Sequence, residues 1–234
     1  MRPYVVVDIE TTGTHPLNND IIEIGAVYVE EGKVMEHFNE LICPNQEISD
    51  YITGITGITN DMVKDAPPIE EVMPRFITFC KEAFLIGHNL ILFDYRMLKT
   101  KATLLGLPFE KEGLDTLVIS RKMLPQLPSR RLGDLCDYYG ISLENAHRAY
   151  DDAYATYELF ECLRRDFEEI NTNLFKEEKI KWESPKNVPL TAKQKKYLIS
   201  LCTKHGLELG QDVDHLTKSE CSKRIDHIIY QYGK

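Results

Sequence analysis

The sequence predicts an α/β protein with a mixed sheet, followed by a small module made only of helices. Three observations lead to this fold class. The first 43 residues read as three successive strands, the last two joined by a tight turn at Glu31-Gly32. A short apolar strand then stands between segments with helical periodicity, as in α/β proteins. Finally, a polar stretch with two prolines precedes two further helical segments.

The predicted strands are short apolar runs, and the predicted helices carry apolar residues at spacings of three and four. The strands cover residues 4–10, 20–30, 33–43 and 83–87. The helices of the first part cover residues 69–81, 90–105, 116–123, 131–139 and 148–170. The stretch YITGITGITNDMVKDAPP, between the third and fourth strands, is rich in Gly, Thr, Asn and Pro and predicts loops.

The domain organisation follows from a change in composition. Residues 1–175 form the first predicted domain, residues 176–189 a linker and residues 190–234 a small helical accessory domain. Its two helices, residues 190–206 and 217–232, open with TAKQ and TKSE. In both, a Thr is followed three residues later by Gln or Glu, which is the pattern of a capping box.

Charge and cysteine content limit the classes of protein that fit. The net charge is −9, but residues 185–234 carry nine basic and five acidic side chains, against 19 basic and 32 acidic in the rest. The body is therefore too acidic for a nonspecific polyanion binder, unless metal ions neutralise its acids locally. Six cysteines without a CxxC pair argue against a zinc site and indicate reduced thiols, so we expect a cytoplasmic protein. No run reaches the ~20 apolar residues of a membrane helix.

Two acids stand at the end of the first strand, in VVVDIETTG. Asp8 and Glu10 are two residues apart, so their side chains point to the same face of the sheet. Burying an unpaired carboxylate costs several kcal/mol unless it is hydrogen-bonded, paired or bound to a metal. The pair therefore lies either at an exposed strand end or beside a cation.

A third acid opens a helix in GHNLILFDYRML. Asp94 shares a helical stripe with Leu98, Ala102 and Leu105, which predicts that it points inward, at the carboxyl edge of the sheet. The alternative is a first-turn acid stabilised by the helix dipole.

The segment HRAYDDAYATYELF supplies a fourth acid and a histidine. Helical steps from Asp152 reach Thr156, Leu159 and Leu163, whereas steps from Asp151 reach a more polar face. Asp152 should therefore point inward and Asp151 outward. His147, just before the helix, is a candidate for proton transfer beside the inward acid.

The four acids cannot all ionise at one place without cations. Oxygen ligands suit Mg²⁺ or Mn²⁺, and two such ions ~3.5–4 Å apart can bind a phosphodiester on both sides of the cleaved bond. His147 would then take the proton of the attacking water.

The segments VVVDIETTG, GHNLILFD and HRAYDDA resemble the three motifs of the DEDDh 3′→5′ exonucleases, the superfamily of the proofreading epsilon subunit of bacterial DNA polymerase III. The resemblance covers roughly residues 1–170 and includes IIEIGAV, TGITNDMV and LDTLVISRKMLPQLPSRRLGDLC. It implies a ribonuclease H-like fold with a mixed five-stranded sheet flanked by helices. One departure concerns the second motif, in which three residues, Leu90 to Leu92, separate HN from FD where the family usually has two.

The resemblance also implies roles for individual residues. The metal ligands would be the four acids Asp8, Glu10, Asp94 and Asp152, and His147 would be the general base. Residues that would bind the substrate are Thr11, Thr12, Gly13, Ile58 and Asn89. The first three also fit a plain Thr-Gly turn.

The implied reaction is two-metal hydrolysis from a 3′ end, releasing nucleoside 5′-monophosphates, with single-stranded DNA as the favoured substrate. An exoribonuclease, a phosphatase of small esters and a non-catalytic module that binds strand ends or a polymerase are the alternatives. The accessory domain is similar to small helical modules of bacterial DNA-handling proteins, and its lysines either contact phosphates or form a solvated face. INTNLF at residues 170–175 faintly resembles sliding-clamp peptides, although Leu174 and Phe175 also fit the end of a packed helix.

Overall fold

A computed structural model describes residues 1–143, 146–182, 190, 192–209, 213 and 216–233. The chain divides into two compact units, Met1–Glu183 and Ser184–Lys234. No helix of the described residues is both long and apolar enough to cross a membrane.

The first unit is built on a mixed sheet, which in the described residues has six strands in the order β3-β2-β1-β4-β5-β6. Neighbouring strands are antiparallel except for β1–β4 and β4–β5, which are parallel. The strands are β1 (Tyr4–Thr11), β2 (Ile21–Glu30), β3 (Lys33–Leu41), β4 (Phe84–Gly87), β5 (Glu112–Asp115) and β6 (Glu178–Lys179).

Helices cover both faces of this sheet. They are α1 (Asp50–Thr56), α2 (Asn60–Val63), α3 (Ile69–Cys80), α4 (Asp94–Leu104), α5 (Thr116–Met123), α6 (Leu132–Tyr139) and α7 (Ala149–Phe167). Alternating β1 residues belong to different cores: Val5, Val7 and Ile9 pack with α3 and α4, whereas Tyr4 and Val6 pack with α5, α6 and α7. Asp8 and Glu10 continue the second series, so they lie on the α7 side.

The α/β class with a mixed sheet is confirmed, and the strand count exceeds the expected five because β6 adds a two-residue strand beside β5. The first residues of the predicted linker are therefore part of the sheet. Ile180 is buried in the core beside α4, and the Arg96 guanidinium lies 4.5 Å from the ring centre of Trp182. These contacts hold the segment through residue 182 to the first unit.

Two local predictions were wrong. The stretch expected to form loops contains α1 and α2, because the Ser49 and Thr59 side chains cap the two helices by accepting the Ile52 and Met62 amide hydrogens. The helix expected from residue 90 begins only at Asp94.

The second unit contains α8 (Ala192–His205) and α9 (Lys218–Tyr232). Their apolar faces share a small core that includes Leu198, Leu201, Cys221 and Ile225. The capping box predicted at Thr217 and Glu220 is present, whereas the one predicted at residue 191 lies outside the described residues. We retain the two predicted domains as a proposal.

Candidate active site

The site begins where β1 ends, at Asp8 and Glu10. Both side chains are half-buried on the α7 side of the sheet. Burial, followed by the charges of Asp94 and Asp152, raises the pKa of the Asp8 carboxyl well above its usual range. Burial and the Asp152 charge likewise raise the pKa of Glu10 to about 8. The nearby charge of Arg148 lowers the pKa of Glu10 only in part.

Asp94 enters the site from the first turn of α4 and is 2% exposed. The additional residue before it is accommodated by a wide turn, in which the Tyr95 amide donates over 2.9 Å to the Leu90 carbonyl five residues back. Burial raises the pKa of Asp94 to about 8, although the amides of Asp94 and Ile9 lower it in part. Its Oδ1 atom is buried and has no hydrogen-bond partner among the described residues.

Asp115 positions the loop that leads to Asp94. This buried carboxylate ends β5 and accepts the amide hydrogens of Asn89 at 3.1 Å and Ile91 at 3.2 Å. It also caps α5 through the amides of Leu117 and Val118. The sequence reasoning missed Asp115, although an Asp-Thr pair before an apolar run is an N-cap signal.

His147 and Asp152 form the third part of the site, at the start of α7. The backbone of His147 has a φ of 67°, a left-handed conformation that is uncommon outside glycine. It is held there by Asp152, whose Oδ2 accepts the His147 amide hydrogen at 3.1 Å. Asp152 is 8% exposed and its Oδ1 has no partner among the described residues. Burial raises the pKa of Asp152 to about 6, while the His147 hydrogen bond opposes the rise.

The start of α7 is attached to β2 by Glu23, which the sequence reasoning also missed. Glu23 is fully buried and pairs with Glu10 in the strand register. Its carboxylate accepts from Arg148 Nη2 at 2.6 Å and from the Ala149 amide at 3.0 Å. The close approach needs Gly25, because a Cβ there would lie 2.1 Å from the Ala149 carbonyl carbon. An acid inside the apolar run IIEIGAV was the available signal.

The structure brings the predicted acids together from three elements. Glu10, His147 and Asp152 each offer a ligand atom, and these atoms lie within 4.8 Å of one another. Asp8 and Asp94 adjoin them, since the charge of Asp152 raises the pKa of both carboxyls and the charge of Asp94 also raises the pKa of Asp8. The two orphaned, buried carboxylate oxygens of Asp94 and Asp152 fit a divalent cation, which prefers oxygen ligands. Among the described residues, Glu10, His147 and Asp152 form the cluster of acidic and histidine side chains that could hold a metal.

A cleft of about 930 Å³ opens beside these residues and is lined by Asn89, His147 and Asp152. The lining of the cleft also includes Arg121, Arg130 and Arg131. His88 contacts the arginine segment: its Nε2 lies 2.9 Å from the Arg130 carbonyl oxygen and its Nδ1 lies 2.9 Å from Thr116 Oγ1. Burial lowers the pKa of His88, which favours the neutral ring.

The residues predicted to bind substrate have different environments. The Thr11 hydroxyl donates to the Gly13 carbonyl, and the Thr12 hydroxyl accepts the Asp20 amide hydrogen, so both hold the turn after β1. Asn89 lines the cleft. Ile58 is 0% exposed, and its side chain packs with Ile22, Ile48 and Val63.

Of the two interpretations of INTNLF, the structure supports the packed helix end and not the sliding-clamp peptide. Phe175 is 3% exposed and belongs to the core under α7, and Leu174 packs against the same core. A clamp peptide needs both side chains free to enter its partner.

Comparison with known proteins places the chain in a family. The RNase_T family, described as Exonuclease, matches residues 5–160. The PolC-type DNA polymerase III of Caldanaerobacter subterraneus subsp. tengcongensis is 44% identical over 167 residues, which are 71% of this chain but only 12% of that protein. The chain thus spans about an eighth of that relative's length.

Two solved structures are also similar. Exonuclease X in complex with 5′-overhanging duplex DNA is 26% identical at a TM-score of 0.58, over 70% of this chain and 92% of that one. E. coli exonuclease I in complex with a dT13 oligonucleotide shares the fold, at 21% identity and a TM-score of 0.67, over 75% of this chain and 44% of that one. These matches confirm the resemblance carried by the three sequence motifs. The chain therefore belongs to the RNase_T family of exonucleases.

Proposed function

We propose that this chain is a metal-dependent 3′→5′ exonuclease that acts on single-stranded DNA and releases nucleoside 5′-monophosphates. The observation that carries the proposal is the convergence of four acids and His147 beside one cleft. Two of the carboxylate oxygens there, Asp94 Oδ1 and Asp152 Oδ1, are buried and receive no hydrogen bond from any residue that the structure describes. Such atoms are costly unless a ligand satisfies them.

The metal would be held by Asp8, Glu10, Asp94 and Asp152, and we propose Mg²⁺ or Mn²⁺, with two ions. When bound, the ions would supply positive charge to the scissile phosphate and lower the pKa of a coordinated water. The chain's own residues fix where this happens, because the acids belong to the sheet and to the first turns of two packed helices.

We assign the role of general base to His147. Its side chain is exposed at the cleft, and neither ring nitrogen has a hydrogen-bond partner among the described residues. The contact with Asp152 is made by the backbone amide, so the ring stays available to accept a proton from water. The left-handed backbone at this position is a strained conformation of the kind that clusters at functional sites.

DNA as the substrate is supported by the relatives. One similar structure holds overhanging duplex DNA and another holds a single-stranded dT13. An exoribonuclease is the second candidate, since a reader of the 2′-hydroxyl is not identifiable. The similarity to PolC-type polymerases favours a DNA polymerase as a partner in proofreading or repair. The cytoplasmic location stays a prediction.

The test is a gel assay on 5′-labelled single strands of DNA and RNA, with Mg²⁺, Mn²⁺ or a chelator. We expect a metal-dependent ladder that shortens from the 3′ end of DNA and is lost in Asp152→Asn. Asp151→Asn is the matched control, because the neighbouring carboxyl lies outside the site and is only half-buried. Asp8→Ala should behave like Asp152→Asn.

The outcomes separate the candidates. Shortening of RNA but not DNA would favour the exoribonuclease. If both strands stay intact with metal while a nitrophenyl phosphate ester is hydrolysed, the enzyme is a phosphatase. Binding of strand ends without hydrolysis would indicate a non-catalytic module.

A further inference from the structure

The cleft beside His147 has a basic wall that the catalytic acids do not use. Arg121 lies in the last turn of α5, and Arg130 and Arg131 follow in the segment before α6. All three line the same cleft as Asn89, His147 and Asp152. We call them the arginine wall.

The three guanidinium groups differ from the other arginines of the first unit. Each of those others is ion-paired with a carboxylate or stacked on a ring, and they are Arg2, Arg75, Arg96, Arg148, Arg164 and Arg165. No ion pair to a described residue is found for the arginine wall. The cleft lining also holds Asp134 and Asp137, and among the described residues neither forms an ion pair with these arginines; Asp134 accepts from the Ser129 hydroxyl. Three unpaired cations are thus kept together in an acidic body.

The position of the wall is fixed by hydrogen bonds to the catalytic framework. The Arg130 carbonyl bonds with His88, which directly precedes Asn89. Arg130 Nη2 also donates to the Leu124 carbonyl at 2.8 Å, and the Arg131 amide donates to Ser129 Oγ. The loop that leads to Asp94 and the arginine segment therefore share one support.

The lining between the charges is apolar. Leu117, Pro128, Leu132 and Leu143 face the cleft together with the arginines. The volume of about 930 Å³ is at the upper end of the ~300–1,000 Å³ of small-molecule sites. An anionic chain that carries flat or apolar groups at intervals would match this surface, with phosphates on the guanidinium groups.

We propose that the arginine wall binds the phosphates of the nucleotides that precede the one being removed, so that it holds the strand while His147 and the acids act on its 3′ end. This inference rests on the proposed exonuclease function. It assigns substrate affinity to residues remote from the reacting bond. The exposed Arg121 and Arg131 are the suitable positions to test, because Arg130 also supports the Leu124 carbonyl.

The experiment compares two substrates in Arg121→Gln, Arg131→Gln and the control Arg165→Gln. Arg165 is exposed and paired with Asp166, outside the cleft. The p-nitrophenyl ester of thymidine 5′-monophosphate has no preceding phosphate, whereas dT8 has several. We expect kcat/KM on dT8 to fall about tenfold in each wall variant, mainly through KM. The fall on the ester should be at least fivefold smaller, and Arg165→Gln should match the wild type on both.

Binding gives a second readout that does not need turnover. In the Asp94→Asn background, the salt dependence of dT8 binding is followed by fluorescence anisotropy. The slope of log K against log salt should become shallower by about 0.7 for each wall arginine removed. An unchanged slope, or equal losses of kcat/KM on the ester and on dT8, would refute the proposal that the arginine wall binds phosphates. A wild type that hydrolyses neither substrate refutes the exonuclease function instead. In that case the salt dependence of binding still shows whether the wall arginines bind the phosphates of the strand.

Discussion

Removing Arg148 should disturb both the stability of the first unit and the placement of His147. Arg148 follows His147 directly, and its guanidinium forms an ion pair with the buried Glu23. The pair joins the start of α7 to β2, which lies beside the strand that carries Asp8 and Glu10. Arg148→Met keeps most of the aliphatic volume but removes every donor that the guanidinium gives to Glu23.

The magnitude follows from which carboxylate oxygen loses its donors. Oε1 accepts only from Arg148, at 2.6 and 3.2 Å, so it is left without a partner. Oε2 keeps the Ala149 amide at 3.0 Å. Breaking a buried pair by removing one member costs about 3–5 kcal/mol, and the Arg148 side chain is 36% exposed. We therefore expect a loss of about 3 kcal/mol in the free energy of unfolding.

The assay can be confined to the first unit. Trp182 is the single tryptophan of the chain and packs in the core beside α4, so its fluorescence in urea reports on that unit. The double variant Arg148→Met with Glu23→Met removes the buried charge together with its partner. It should recover at least about 1 kcal/mol relative to the sum of the single variants. Turnover on dT8 should fall about tenfold in Arg148→Met, with KM little changed, because His147 loses the neighbour that fixes its loop.

Two results would refute this reasoning. An additive double variant would mean that Glu23 and Arg148 are not energetically coupled. A variant with wild-type kcat but lower stability would mean that the pair supports the fold without positioning His147. The control variant Arg165→Met removes an exposed ion pair on the same helix. It should change the free energy of unfolding by less than about 0.5 kcal/mol.

Three further predictions concern charge and the second unit. Burial raises the pKa of Asp20, but the hydrogen bond and charge of Lys101 outweigh it, so the net pKa is lowered. The stabilisation from this pair is therefore complete above about pH 4 and is lost as the pH falls through the lowered pKa. In Asp20→Asn the free energy of unfolding, followed by Trp182 fluorescence, should therefore fall less steeply at acid pH than in the wild type. Asp94→Asn removes one of the crowded carboxylates, so it should raise the melting temperature measured without metal. The further rise in melting temperature that Mn²⁺ causes should be smaller in this variant than in the wild type, and thermal melts with and without the ion test both effects. If the accessory domain contacts phosphates, deleting residues 185–234 should raise KM on long strands and leave KM on a dinucleotide unaffected. An unchanged KM on both substrates would exclude that contact.

The parts of the fold that were predictable are those in which local pattern and packing agree. The strands β1 and β2 are mostly apolar over eight or more residues, and the turn at Glu31-Gly32 that leads into β3 has positive φ at both positions. The inward direction of Asp152 followed from the apolar stripe that it shares with Leu159 and Leu163, both fully buried.

Elements that depend on tertiary pairing were not predictable. The strand β5 reads EGLD, with two acids and a glycine, and it exists because it pairs with β4. The late start of α4 follows from the wide turn at Leu90, which apolar periodicity does not reveal. The burial of Ile58, whose side chain fills the small core under α1 and α2, was not predictable because a motif position says nothing about burial.

The buried acids of the first unit fall into two kinds, and the difference indicates their roles. Glu23 and Asp115 are satisfied by N–H donors, and each holds a loop that carries a residue of the site, His147 in one case and Asn89 in the other. Asp94 and Asp152 each keep a buried oxygen without a donor among the described residues. Folding gains nothing from such atoms, because an unsatisfied buried carboxylate destabilises the protein. The satisfied acids therefore support the site, and the unsatisfied ones are those that a cation would complete.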